Sequence, residues 1–189
     1  MKSFKHHLRR IVGNSLLSTE AVTTVLAQIE GVLNSRPITP LSSDPSDLQV
    51  LTPGHFLIGR PILTMPEPDV SGIPSSRLDM WQKMQLLTQH FWKRWHDEYL
   101  STLQTRYKWT TSNQNLLIGS IVLIREDNQP VGRWSMGRVT EVHPGNDGLV
   151  RVATLRIPNG KFVKRPITKL CRLPVEVEAA TVAERPQST

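Results

Sequence analysis

Hydrophobic positions in the first third of the chain recur at helical spacing. The segment SFKHHLRRIVG predicts a short basic helix that stops at Gly13. A second helix follows, because Ser18 or Thr19 can cap it and apolar residues then recur at three- and four-residue steps. These apolar residues are Val22, Val25, Leu26, Ile29, Val32 and Leu33. Pro37 ends the helix, since it disfavours helical geometry at Arg36. A proline-containing loop then leads to LTPGHFLIG, a predicted turn and short helix.

A long aromatic helix is predicted after a segment without periodicity. Residues 61–76 contain four prolines and one glycine, which indicates a linker or an extended packed loop. Residues 77–103 carry an apolar stripe at helical spacing. The stripe consists of Trp81, Met84, Thr88, Phe91, Trp95 and Tyr99, widened by Met80, Leu87 and Trp92. Such a helix either packs on neighbouring elements or offers a face to a partner or to a second copy.

From residue 116 onwards the hydrophobic period changes from 3.6 residues to two. Five short alternating segments are separated by clusters such as Pro-Gly-Asn-Asp-Gly and Pro-Asn-Gly, which are typical of hairpin turns. Closure of so few strands into a small barrel would remove exposed edges. We therefore predict an α+β chain with N-terminal helices (1–60), a Pro-rich linker (61–76), an aromatic helix and its connection (77–115), a small five-stranded β-barrel (116–173) and a flexible tail (174–189).

Positive charge is concentrated in the predicted barrel. The chain has a formal net charge of +7, and residues 116–173 hold ten Lys or Arg against four Asp or Glu. Phosphate contact requires exposed cations along one surface. Alternation predicts that the barrel cations are exposed without showing that they share a face, so a solvated charged surface is the alternative. The candidate nucleic-acid-binding residues here are Arg133, Arg138, Arg151, Arg156, Lys161, Lys164, Arg165 and Lys169. Trp134 alternates in phase with Met136, which favours packing over base stacking.

The residues offer little for catalysis or metal binding. Cys171 is the single cysteine, which excludes an internal disulfide and predicts a buried thiol. Asp97 and Glu98 lie four residues after Lys93 and Arg94, respectively. Ion pairs on the helix surface therefore account for these carboxylates without a catalytic role. No nucleophile elbow, phosphate-binding loop or dinucleotide fingerprint is present in the sequence. We therefore predict no catalytic residue, no metal and no cofactor.

The chain contains no run of 18 or more apolar residues, and its first residues lack the apolar region of a signal peptide. We expect a soluble protein of the nucleus or cytoplasm, without a membrane partner.

Two stretches together resemble a known family. LAQIEGVLNSRPITP…LTPGHFLIGRP resembles the end of the integrase catalytic core in BEL/Pao-type long-terminal-repeat retrotransposon polyproteins. FWKRWHDEYLSTLQTRYKW and the strands that follow, to KLCRL, resemble the uncharacterised domain after that core. That domain is similar to the Src-homology-3-like C-terminal barrel of retroviral integrases. The resemblance spans nearly the whole chain in the family's order. It implies a ribonuclease-H-like core whose three acids bind two metal ions and join element DNA to host DNA.

The positions that match the three acids do not exist in this chain. The family's third acid lies just before the helix that matches MKSFKHHLRR, so the resemblance implies a non-catalytic remainder of an integrase. Lys2, Lys5, Arg9 and Arg10 match a basic helix that borders the family's active site, where DNA contact is expected. The helices predicted over 4–12 and 18–35 also lack the core sheet on which the family packs them. Their apolar stripe needs another surface.

Three hypotheses follow from these observations. The leading one is a non-enzymatic, integrase-derived fragment that formerly served DNA integration and binds DNA non-specifically through its basic barrel. The second is a protein-interaction or multimerisation module of an integrase complex, with a second copy or integrase subunits as partners. The third is active strand transfer, which requires that the chain be an artificial truncation of a longer polyprotein.

Overall fold

The computed structural model describes residues 2–13, 17–42, 47–63, 67–104 and 115–173, so the predicted tail, 174–189, lies outside the described residues. Four helices and seven strands follow each other along these ranges. They are α1 (Lys2–Val12), α2 (Thr19–Asn34), β1 (Thr39–Pro40), β2 (Val50–Leu51), α3 (Pro53–Ile58), α4 (Met80–Leu103), β3 (Ile121–Ile124), β4 (Met136–Pro144), β5 (Val150–Arg156), β6 (Phe162–Pro166) and β7 (Leu170–Arg172). Two 3-10 helices, Ser75–Arg77 and Ile167–Lys169, precede α4 and β7. None of the described helices is both long and apolar enough to cross a membrane.

The predicted start and end of α2 are confirmed. The Ser18 hydroxyl accepts a hydrogen bond from the Ala21 N–H (3.3 Å) and caps the helix, which ends before Pro37. The predicted stripe is partly wrong, because Val22 and Leu26 are each 38% exposed. The buried positions recur at steps of four, four and three residues, at Ala21, Val25, Ile29 and Val32.

Helix α4 supplies the surface that α1 and α2 require. The buried residues of α2 share one core with the α4 residues Met84, Leu87, Phe91, Trp92 and Trp95. Helix α1 packs Phe4 onto this core, with its ring 6.0 Å from the fully buried ring of Phe91. The N-terminal helices and the central helix α4 thus bury each other's apolar faces, and the packing interpretation of the aromatic helix is confirmed.

The aromatic helix begins later than its pattern predicts. Asp79 accepts a hydrogen bond from the Gln82 N–H (2.7 Å), while the Gln82 side chain accepts one from the Asp79 N–H (3.1 Å). This reciprocal cap sets the first helical residue at Met80 rather than Arg77. Trp81 therefore lies in the first turn, where it remains 48% exposed.

The five strands predicted after residue 116 form one antiparallel sheet in the order β6-β5-β4-β3-β7, which confirms the α+β class. One face buries a core that includes Val122, Val139 and Leu155. The opposite face, at Leu123 and Cys171, packs against the end of α4.

The predicted closed barrel is wrong for the described strands, because β6 and β7 remain edges of an open sheet. β7 is three residues long and pairs with β3, and a 3-10 helix separates it from β6. Helix α4 covers one face of the sheet near β7. The residues of that face are therefore buried without closure of the sheet into a barrel.

The described proline-rich parts of the chain contain paired strands and a buried residue, which a linker would lack. β1 and β2 pair through Thr39 with Leu51 and through Pro40 with Val50. Each strand has only two residues, so the alternation of polar and apolar residues in the sequence does not predict this pair. Within the predicted linker, Val70 is 3% exposed, and its N–H donates to the Gln89 side chain (3.0 Å). The packed-loop interpretation therefore holds for this part of 61–76.

Candidate nucleic-acid interface

Helix α1 turns a basic face to solvent and an apolar face to α4. Lys5, Arg9 and Arg10 are exposed, and the helix contains no acidic residue. These three cations span an arc of about 140° around the helix at its period of 3.6 residues. The Lys2 side chain itself lies outside the described residues. On the opposite face, His7 is buried and hydrogen-bonds through Nε2 to the Glu98 carboxylate of α4.

Three of the candidate cations in the sheet have acidic partners. Arg151 contacts Asp147 in the β4–β5 turn (2.6 Å), Arg165 contacts Glu126 (3.3 Å) and Lys169 contacts Asp127 (4.0 Å). A phosphate would have to compete with a carboxylate at each of these positions.

The Asp147 carboxylate is held in its charged form by its own turn. The Leu149 N–H donates to it (3.2 Å) and is the main reason that its pKa lies below the usual range. The charge of nearby Arg151 lowers the pKa further. Arg151 and Asp147 therefore form a locally neutral pair at physiological pH.

Arg138 is not a surface cation, and the prediction that it is exposed is wrong. It is 8% exposed, and its guanidinium donates to the backbone carbonyls of Gly119 (2.9 Å) and Asp47 (2.8 Å). The register pairs it with buried Ile121 across β3 and β4. Arg138 therefore fastens the segment before β2 to the sheet.

The β5–β6 hairpin carries the cations that remain available. Arg156, Lys161 and Lys164 are exposed, and none of them makes an ion pair with any described residue. Arg156 lies directly opposite Phe162, and Lys164 follows two residues later along β6. Opposite residues in an antiparallel pair, and residues two apart along a strand, share a face. Arg156, Phe162 and Lys164 therefore form one outward surface, which we call the basic hairpin face.

The same register separates Arg165 from this face. Arg165 lies opposite Ala153, which is fully buried in the sheet core, so its side chain starts on the core face and reaches Glu126 at the rim. The alternation of the sequence therefore divides Lys164 and Arg165 between two faces.

The tip of the hairpin is held by the predicted Pro-Asn-Gly turn. Asn159 accepts a hydrogen bond from the Lys161 N–H (3.0 Å), and the Gly160 N–H donates to the Ile157 carbonyl (2.9 Å). Gly160 has a φ of +78°, which favours glycine at this position. The turn places Lys161 next to the basic hairpin face.

Arg133 is exposed in the loop before β4, and within the described chain it too has no ion pair. It lines an apolar groove of about 730 Å³ beside Trp134. The Trp134 ring packs 5.0 Å from Trp92, and its N–H donates to the Ser35 hydroxyl (3.2 Å). The packing role predicted for Trp134 is thus confirmed.

Sequence reasoning did not single out Phe162 as a surface residue. It is 64% exposed although it is a large aromatic residue in a strand. The signal in the sequence was the alternation along β6. Phe162 and Lys164 belong to one face of the strand, and Val163 and Arg165 belong to the other. Periodicity alone does not decide which of the two sets faces the core.

The described residues offer no centre for metal or thiol chemistry. No group of three or more His, Cys, Asp or Glu within the described ranges could hold a metal ion. Asp97 contacts Arg125 (3.2 Å) rather than the predicted Lys93, so it ties α4 to the sheet segment. Burial raises the pKa of the Cys171 thiol to about 11, which keeps it protonated and unreactive, as a core-filling residue should be.

Comparison with curated proteins and with solved structures returned no match to the chain. A family model, described as a family of unknown function (DUF5641), matches residues 79–173. The matched region begins at Asp79, the cap of α4, ends at buried Leu173 and contains every strand of the five-stranded sheet. It covers slightly more than half of the sequence. The chain belongs to this family of unknown function, DUF5641.

Proposed function

We propose that this chain binds DNA non-specifically through the basic hairpin face and the adjacent Lys161. The observation that carries the proposal is the contrast in ion pairing within one small sheet. Arg156, Lys161 and Lys164 are exposed without acidic partners among the described residues. Their charge is therefore free to replace the counterions of a nucleic-acid backbone.

The exposed cations of α1 provide a second point of contact. Lys5, Arg9 and Arg10 share one helix face without an acidic residue on the same helix. Their affinity for DNA would be independent of base sequence, because a cation that contacts a backbone phosphate does not contact the edges of the bases. Such a protein acts where DNA or RNA is present, in the nucleus or cytoplasm.

The proposal includes an origin in a retrotransposon integrase, without catalysis by this chain. The integrase origin depends on the resemblance of residues 26–61 and 91–173, since the matched family carries no activity in its description. The strand order, with a 3-10 helix before the last strand, supports a Src-homology-3-like sheet as the finer description of the fold. A strand-transfer assay with Mg²⁺ on this chain should give no product, and product formation would contradict the non-catalytic assignment.

Charge reversal on the basic hairpin face tests the DNA-binding proposal. Fluorescence anisotropy with a labelled duplex at increasing salt gives the slope of the logarithm of the binding constant against the logarithm of the salt concentration. For the wild type this slope should be about −2.7 if each of the three hairpin cations neutralises one phosphate. It should be steeper if α1 also contacts DNA. The double variant Arg156→Glu/Lys164→Glu should lose most of its affinity and about two units of slope.

A matched control separates this face from net charge. The variant Arg60→Glu/Arg77→Glu removes the same charge at two exposed positions outside the sheet and should bind nearly as the wild type does. Equal losses in both double variants would show that overall charge, and not the hairpin, determines binding. Unchanged binding in the hairpin variant would reject the proposal.

An exposed apolar surface on α3 favours a second function, protein docking. Phe56, Leu57 and Ile58 are 73%, 63% and 55% exposed, and the following Leu63 is 86% exposed. Exposed apolar patches of this kind mark interaction surfaces. Light scattering without DNA should then give a mass above that of the monomer, and Phe56→Asp/Leu57→Asp should restore the monomer. A monomeric wild type at high concentration would remove self-association from consideration.

A further inference from the structure

We infer that Phe162 is a stacking platform for unpaired bases, so that the basic hairpin face binds single-stranded nucleic acid by stacking as well as by phosphate contact. The inference rests on the proposed function and specifies the form of nucleic acid that this face recognises.

Phe162 is an exposed aromatic residue that lies among cations. Its side chain is 64% exposed on the outward face of β6, directly opposite Arg156. Opposite residues in an antiparallel pair have Cβ atoms about 5 Å apart, and Lys164 on the same face lies about 7 Å further along the strand. A base stacked on the ring would therefore have both flanking phosphates within reach of long cationic side chains.

Duplexes and single strands present different chemical groups to such a surface. A duplex keeps its bases stacked on each other and offers mainly phosphates and base edges to a protein. A single strand exposes the faces of its bases, and an aromatic side chain can stack on any of them without regard to sequence. Cations beside an aromatic ring on an exposed face are the combination that binds single strands.

The backbone of β6 is an alternative binding surface, since an edge strand can pair with a peptide. β6 is at the edge of the sheet, where a peptide could in principle add a further strand. Pro166 lacks an N–H to donate, and the strand is only five residues long. The side-chain face of β6 is therefore better suited to a ligand than its backbone edge.

The experiment compares three probes of equal length with the full chain: an oligothymidylate of about 12 nucleotides, the same backbone with abasic sites, and a duplex. Phe162→Ala should weaken binding of the oligothymidylate by about 5-fold to 150-fold and leave the other two probes unchanged. Phe162→Trp should retain or strengthen oligothymidylate binding. The matched control is Trp81→Ala, which removes another exposed aromatic side chain, 48% exposed on α4, and should leave all three affinities unchanged.

The outcomes separate this inference from the proposed function. If Phe162→Ala changes oligothymidylate affinity by less than about twofold, or weakens all three probes equally, the stacking platform is rejected. Duplex binding with a steep salt dependence would then still support the proposed function. If the wild type binds none of the probes at low salt, both the proposed function and the platform fail. Loss confined to the oligothymidylate supports the inference.

Discussion

Replacing Trp134 with alanine tests whether the two ends of the described chain form one cooperative unit. Its ring packs against the helical core and against the sheet core. It lies 5.0 Å from Trp92 and 5.0 Å from His96, and its N–H donates to Ser35 at the end of α2. Removing a buried Trp costs about 3–5 kcal/mol, and the lower value applies because Trp134 is only partly buried. A loss of about 3 kcal/mol is a large share of the roughly 5–15 kcal/mol that stabilises a typical domain.

The measurement is urea unfolding followed by far-ultraviolet circular dichroism, which reports helices and sheet together. With a slope of about 2 kcal/mol per molar urea, Trp134→Ala should lower the midpoint by about 1.5 M. Trp81→Ala is the matched control, because Trp81 is 48% exposed on α4 and its loss should change stability by less than about 0.5 kcal/mol. Equal midpoints for the two variants would refute the packing role of Trp134. Two separate transitions in the wild type would refute a single cooperative unit.

Three further predictions concern buried polar groups. Arg138→Leu should lower the free energy of unfolding by about 2–4 kcal/mol, because two part-buried backbone carbonyls lose the donors of the buried guanidinium. The salt slope for DNA should stay as in the wild type, and a reduced slope would place Arg138 in the interface. Cys171 should not react with a thiol reagent at pH 8 in the folded protein, because burial raises the pKa of its thiol to about 11. The thiol should react once urea unfolds the protein, and rapid labelling of the folded protein would contradict its burial. Burial lowers the pKa of His96 below its usual 6.5, so the unfolded chain binds more protons than the folded chain as the pH falls through that value, and stability should fall with it. His96→Phe should reduce this pH dependence, and an unchanged pH profile would exclude His96 as its source.

Local spacing was sufficient for most of the secondary structure, apart from the β1–β2 ribbon and the start of α4. The cap at Ser18, the short helix after Thr52 and all five strands after residue 116 depend on residues that are neighbours in the chain, so the sequence shows them directly. The start of α4 differs from the prediction because the Asp79–Gln82 cap, which directly precedes the first apolar positions of the stripe, sets the first helical residue at Met80. A reciprocal cap is also visible in sequence, and it should take precedence over the stripe.

The candidate interface was only partly predictable. Arg138 continues the phase of Trp134 and Met136, so its covered position could have been read from alternation. The ion pair between Arg165 and Glu126 joins residues 39 positions apart, and no spacing rule predicts it. The exposure of Phe162 likewise depends on which face of β6 the core occupies, and that is decided by the packing of Leu155 and Val163.

The sequence by itself determined the helices, the five strands after residue 116 and the excess of positive charge, because these follow from composition and from short-range periodicity. The tertiary structure decided how the parts meet. It gave the apolar faces of α1 and α2 a surface on α4, left the sheet open and neutralised three of its cations with acidic partners. These outcomes depend on contacts between residues far apart in the chain, and for that reason the basic hairpin face could be recognised only after folding.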